Sequence, residues 1–149
     1  MNINEAIQQK QFANEWEKAL VNLHFTSNEF NDRLMKILKP YSINDQHYNI
    51  LRILKRSYPE VTSPGDIKAV LLNKRGDLTR LLDKLHTLHY VERATNSNNR
   101  RMVDLRITTS GLALLQKIKA DIHATKIVKK NLTKEEAIQL SLLLDKLRQ

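Results

Sequence analysis

Apolar residues recur at helical spacing through the first forty positions: Ile7, Phe12, Trp16, Leu20 and Leu23, then Phe30, Leu34, Ile37 and Leu38. This period predicts one long helix or two abutting ones over residues 5–38, stopped by Pro40. A helix of that length opening a small chain cannot bury its stripe alone, so a partner subunit is expected against it. A second helix is expected over 44–57, with Asn44 as N-cap and Tyr48, Leu51, Ile53 and Leu54 facing inward, ended by Tyr58-Pro59. Ser63-Pro64-Gly65-Asp66 then starts a short helix running through Leu72. Its serine oxygen and acidic side chain satisfy amides that lack partners inside the helix, and proline suits the first helical position.

Asn73-Lys74-Arg75-Gly76 reads as a tight turn into a helix over 77–88, which gathers Leu78, Leu81, Leu82, Leu85 and Leu88 on one face. Lys74, Arg75, Thr79, Arg80, Asp83, Lys84 and Thr87 are left for solvent or a ligand. Two short helices joined by a tight turn, the second polar and basic outside, form a helix-turn-helix pattern. The period then changes. Residues 90–94 and 102–107 suit strands, the second alternating through Val103, Leu105 and Ile107. Between them runs a polar tip, Thr95 to Arg101, that ends in two arginines and reads as a wing. A helix over 109–129 presents Leu112, Leu115, Ile118 and Ile122. The last helix starts at a capping box, Thr133 with Glu136, stapled by Leu132, and its stripe is Leu140, Leu143, Leu144 and Leu147.

These elements predict a mainly α fold with a small β-hairpin wing, an α+β arrangement. A winged helix-turn-helix lobe at 41–107 is flanked by dimerisation helices at 1–40 and 108–149, all within one structural domain of 149 residues.

Composition sharpens the picture at three points. Cysteine is absent, which removes disulfides, thiolate metal sites and thiol redox sensing. The net charge of +9 favours a polyanionic partner, either nucleic acid or an anionic membrane surface. Residues 1–40 are neutral, whereas 61–107 carry nine bases against five acids, so the positive excess lies beyond the first helix. No run approaches the ~18 apolar residues of a membrane span. Asn2, Glu5, Gln8, Gln9 and Lys10 make the N-terminus too polar for a signal peptide, so a cytoplasmic protein with no membrane partner is expected.

The chemistry follows from the helix-turn-helix. A B-DNA major groove admits one α-helix whose exposed side chains reach base edges. Arg75, Thr79 and Arg80 suit that role, with Lys74 and Lys84 on phosphates; the alternative is an ordinary solvated face. Arg100 and Arg101 suit a minor groove, whose negative potential rises where it narrows. No glycine-rich phosphate loop, nucleophile elbow or H-E-x-x-H pattern is present, so neither an enzyme nor a cofactor is expected. His86 and His89, three apart at a helix end, have apolar surroundings and no nearby carboxylate, which favours a surface role over a metal pair. His24, Tyr41, His47 and Tyr48 are candidates for an effector pocket, with core or interface packing as their other reading.

The stretch from Ser42 to Ile118 resembles the multiple-antibiotic-resistance regulator (MarR) family. The resemblance is carried by Ile43-Asn-Asp-Gln46 with Ile50-Leu51, by Leu78-Thr-Arg-Leu-Leu-Asp-Lys-Leu85 as recognition helix and by Val91-Glu-Arg93 as the strand after it. Asn99-Arg-Arg101 stands in place of the wing's D-x-R, and Ile107-Thr-Thr-Ser-Gly111 in place of L-T-x-x-G. The segment from Leu132 to Leu147 is similar to the family's final dimerisation helix. The resemblance implies a homodimer with intertwined N- and C-terminal helices, presenting two winged lobes to a palindromic operator on double-stranded DNA. It also implies a repressor released by a small phenolic or anionic effector. Two residues depart from the pattern: Asn99 where aspartate would hold a wing arginine, and His89 where glycine is usual. They leave room for a second reading, a winged protein-interaction module that has lost DNA binding.

Overall fold

Asn2, Asn14, Ser63, Asp77, Thr108 and Thr133 each cap a helix start in this chain. The computed structural model describes residues 1–73, 76–122 and 124–149, which form two compact units, Met1–Asp45 and Gln46–Gln149. In the first, Asn2 caps the short helix α1 (Ile3–Ala6): its Oδ1 accepts from Glu5 N at 3.0 Å, and the Glu5 carboxylate accepts from Asn2 N at 3.1 Å. The expected helix over 5–38 is therefore interrupted. Gln8 takes a left-handed backbone (φ 53°), and Asn14 restarts the chain as N-cap of α2 (Glu15–Leu38), accepting from Glu17 N at 2.9 Å. A local cap outcompetes the apolar period that runs through Phe12. Pro40 falls in a single 3₁₀ turn, Lys39–Tyr41, between buried Leu38 and Ile43.

Helix α3 (Asp45–Ser57) buries His47, Ile50, Leu51, Ile53 and Leu54. Tyr48, expected inward, is only half-buried, with the Arg52 guanidinium 5.8 Å from its ring centre. Helix α4 (Pro64–Val70) starts as the sequence requires: Ser63 Oγ accepts from Asp66 N at 3.1 Å, and Asp66 Oδ2 accepts from Ser63 N at 3.3 Å. It ends before Leu72, because Leu71 turns extended and is buried. Helix α5 (Leu78–Thr87) sets Leu81, Leu82 and Leu85 into the core. Strands β1 (Val91–Thr95) and β2 (Val103–Ile107) pair antiparallel from Val91↔Ile107 to Thr95↔Val103. Thr62 adds a bridge to Leu105, each residue donating its N–H to the other's carbonyl at 2.9 Å. Val91, Leu105 and Ile107 face inward, as period-two alternation demands.

The single helix expected over 109–129 is two, α6 (Thr109–Asp121) and α7 (Ala124–Asn131), because Ile122 is extended at ψ 95°. Helix α6 buries Gly111, Leu114, Leu115 and Ile118; Leu112 sits at the edge of that face. Thr133 caps α8 (Lys134–Leu147) in the expected box with Glu136, at 3.2 and 2.8 Å.

The end of α5 explains one departure from the family pattern. Tyr90 N donates to Leu85 O and His89 N to His86 O, both at 2.9 Å, the paired bonds that close a helix through a left-handed residue. His89 is that residue, at φ 60°. A side chain in this region costs about 1 kcal/mol. His89→Gly is expected to raise stability by roughly that amount and the melting temperature by about 2–4 °C, measured by thermal denaturation; a variant that melts lower would contradict this account of the turn.

Candidate nucleic-acid interface

The leucine face of α5 fixes which side chains the helix can offer outward. With Leu81, Leu82 and Leu85 buried, Thr79, Arg80 and Lys84 are exposed. The Arg80 side chain is 87% exposed. Asp77, the N-cap, accepts from Arg80 N at 3.3 Å, and its other oxygen lies 3.5 Å from Arg80 Nε. A solvated pair three residues apart contributes about 0–1 kcal/mol, so this contact holds the guanidinium only loosely. Lys74 and Arg75 lie outside the described residues.

One outward residue does more than meet solvent. Arg93 Nη1, from β1, donates to Asp83 Oδ1 at 2.6 Å, tying the outer face of α5 to the hairpin. The sequence pattern leaves Asp83 for solvent or a ligand and places Arg93 in the strand after the recognition helix, without joining the two. The helical spacing of Asp83 and the strand position of Arg93 give no sign that the two meet across ten residues.

The wing arginines occupy a turn of defined geometry. Met102 N donates to Asn99 O at 2.9 Å, which makes Arg100 and Arg101 the two central residues of a four-residue turn. Asn99 Oδ1 accepts from Arg101 N at 3.1 Å. The asparagine in place of the usual aspartate therefore bonds the arginine's backbone amide. Among the described residues, neither guanidinium pairs with a carboxylate, and both residues are exposed.

The four effector-pocket candidates divide between the units. His24, exposed, and Tyr41, half-buried, belong to the first; His47, buried, and Tyr48 belong to the second. A concave site of about 430 Å³ lies within the first unit, lined by Asp32, Met35, Lys36, Lys39, Ser42 and Ile43. Lys36 and Lys39 place two cations there that residue patterning did not single out. Among the described residues, no group of three histidine, cysteine or acidic side chains could hold a metal ion, and no helix is long and apolar enough to cross a membrane.

No protein-family model matches the chain. It is nevertheless similar to the multiple antibiotic resistance protein MarR of Escherichia coli, 33% identical over 124 residues that span 80% of this chain and 83% of that protein. The chain belongs to the MarR family. Similarity to Salmonella typhimurium MarR, 32% over 130 residues, spans 84% of this chain and 88% of that protein. Among solved structures, a mutant of E. coli MarR complexed with operator DNA matches with a TM-score of 0.76 at 28% identity, covering 93% of this chain and 99% of that one. A MarR transcription factor from Planctomyces limnophilus matches at 0.69 and 26%, covering 91% and 98%. The mostly helical chain with its two-stranded wing is thus a MarR-family winged helix, and its relatives are named as transcriptional regulators rather than enzymes.

Proposed function

We propose that this MarR-family regulator binds a palindromic operator as a homodimer and represses transcription until a small phenolic or anionic effector releases it. The observation that carries the reading is the pairing, within one compact unit, of an exposed basic helix face and a hairpin tip with two exposed arginines. Thr79 and Arg80, together with Arg75, read base edges in the major groove; Lys74 and Lys84 neutralise phosphates; Arg100 and Arg101 enter the minor groove. The operator DNA bound by the E. coli MarR mutant supports duplex DNA as the partner.

Residues 41–107 act as the DNA-binding lobe, and 1–40 with 108–149 as the dimerisation helices. A two-fold dimer of this kind expects half-sites about 34–36 Å apart. His24, Tyr41, His47 and Tyr48 are the candidates for an effector site in this proposal; within the first unit, the ammonium groups of Lys36 and Lys39 on the concave site would favour an anion. The cytoplasm is its proposed location, because that is where such a regulator meets duplex DNA.

Two substitutions separate base reading from phosphate contact. Arg80→Ala is expected to cost about 1–3 kcal/mol at a selected duplex and to relax preference at one base position. Lys84→Ala should instead weaken all duplexes evenly and reduce the salt slope by about one. Fluorescence anisotropy with selected and scrambled duplexes across a salt series reads both. Wild-type binding by both variants would defeat the recognition-helix assignment.

A further inference from the structure

We propose that Asn96 and Asp104 are the positioning residues of the wing, fixing the turn that presents Arg100 and Arg101 to DNA. The proposal rests on the wing contact argued above. Asp104 stands on β2 opposite Ala94, and Asn96 follows directly after β1. The Asn96 side-chain amide donates to both carboxylate oxygens of Asp104, at 2.9 and 3.2 Å. With its nitrogen held on the carboxylate, its Oδ1 is aimed at the tip, where it accepts from Asn98 N and Asn99 N, each at 2.9 Å.

The order then passes outward. Asn99 Oδ1 accepts from Arg101 N, and Asn99 O accepts from Met102 N, closing the turn around the two arginines. The amide can lie only one way round, because two N–H groups need an oxygen on one side and a carboxylate needs donors on the other. A chain of bonds therefore runs from a half-buried carboxylate in the strand, through one asparagine, to the exposed tip. It does the work that an aspartate at position 99 would do by gripping an arginine side chain. Here neither guanidinium pairs with a carboxylate among the described residues.

The test turns on a sign. Asp104→Ala removes a negative charge from a surface that faces a polyanion, which on charge alone should tighten binding. Loss of positioning predicts the reverse: binding to a duplex recovered by selection weakens about fivefold, and Asn96→Ala weakens it about tenfold. The Asn96→Ala/Arg101→Ala double variant should lose less than the sum of the two single losses, since part of the asparagine's effect passes through that arginine. Anisotropy titrations, with melting temperatures taken on the same preparations, supply the readout. Tighter or unchanged binding by Asp104→Ala, or additive losses in the double variant, would overturn the proposal. Arg101→Ala binding like wild type would instead remove the wing contact on which it rests. Should Asn96→Ala fail to fold, Asp104→Ala decides the matter alone.

Discussion

Gly111→Ala is expected to lower stability by about 3 kcal/mol, the upper part of the range for forcing extra atoms into a packed site. A Cβ at this position would lie 2.5 Å from Tyr90 O and 2.7 Å from Ile107 Cγ1. The first of these is backbone, and it is not free to retreat. Tyr90 O accepts from Thr108 N at 3.1 Å, while Tyr90 N is committed to Leu85 O. Thr108 is fixed in turn: its hydroxyl donates to His89 O at 2.7 Å and accepts from Gly111 N at 3.0 Å as the cap of α6. An added methyl must therefore push α6 away from the junction of α5 and β1, loosening Leu114, Leu115 and Ile118 in the core. For a chain of this length the melting temperature should fall by roughly 6–12 °C. Gly65→Ala serves as the control, since its Cβ would meet only Ser63 Oγ at 3.7 Å. Equal melting of the two variants would show that the contact at Gly111 yields more easily than its bonds imply.

That glycine shows how the sequence can mark a position without giving its cause. The pattern Ile107-Thr-Thr-Ser-Gly111 resembles the family's boundary before the next helix, and the structure shows Thr108 as the cap there. The carbonyl that excludes a side chain belongs to Tyr90, twenty-one residues earlier, and no local period encodes that approach. Local capping chemistry was readable at Ser63 and Thr133, where the cap and its acidic partner lie three residues apart, but the caps at Asn2 and Asn14 were hidden beneath the apolar period. The leucine face of α5 and the alternation of β2 were readable because burial imposes their periods. The early helix boundaries were less so. Ile7 and Phe12 keep the apolar rhythm while the backbone leaves the helix at Gln8, a case of local hydrogen bonding overriding periodicity.

The candidate interface divides along the same line. Exposure of Thr79, Arg80 and Lys84 follows from the burial of the leucines between them, and a polar tip with two arginines reads as a wing on composition alone. The contacts that order these groups were hidden. Asp83–Arg93 joins α5 to the hairpin and Asn96–Asp104 joins the hairpin's two sides, residues eight to ten apart that only the folded chain brings together.

Leu143→Glu combined with Leu147→Glu is expected to convert the protein to a monomer and to lower its affinity for a full operator by about 10²–10⁴-fold. Leu143 and Leu147 are each 57% exposed on α8 and Leu140 is 47% exposed, three apolar residues on one helical face with half-buried Leu144 between them. Ile138 and Leu142, at 51% and 63%, form a second exposed face on the same helix, while Trp16 and Leu20 stand open on α2 at 80% and 56%. Leucine and isoleucine contribute about 1.5–3 kcal/mol each when fully buried, so this much apolar surface is a strong force for association. A second copy of the chain is the occupant proposed for it. Two glutamates per subunit on that face would place four carboxylates in a dry interface, where unpaired charge is not tolerated. A monomer retains one winged lobe and hence half-site contacts, but it loses the effective concentration that a linked second lobe supplies, which sets the expected range. Sedimentation velocity and operator titration on the same samples test both halves of the prediction. A wild-type protein that sediments as a monomer, or a double variant that keeps both its dimer and its affinity, would remove the two-fold arrangement from which the palindromic operator follows.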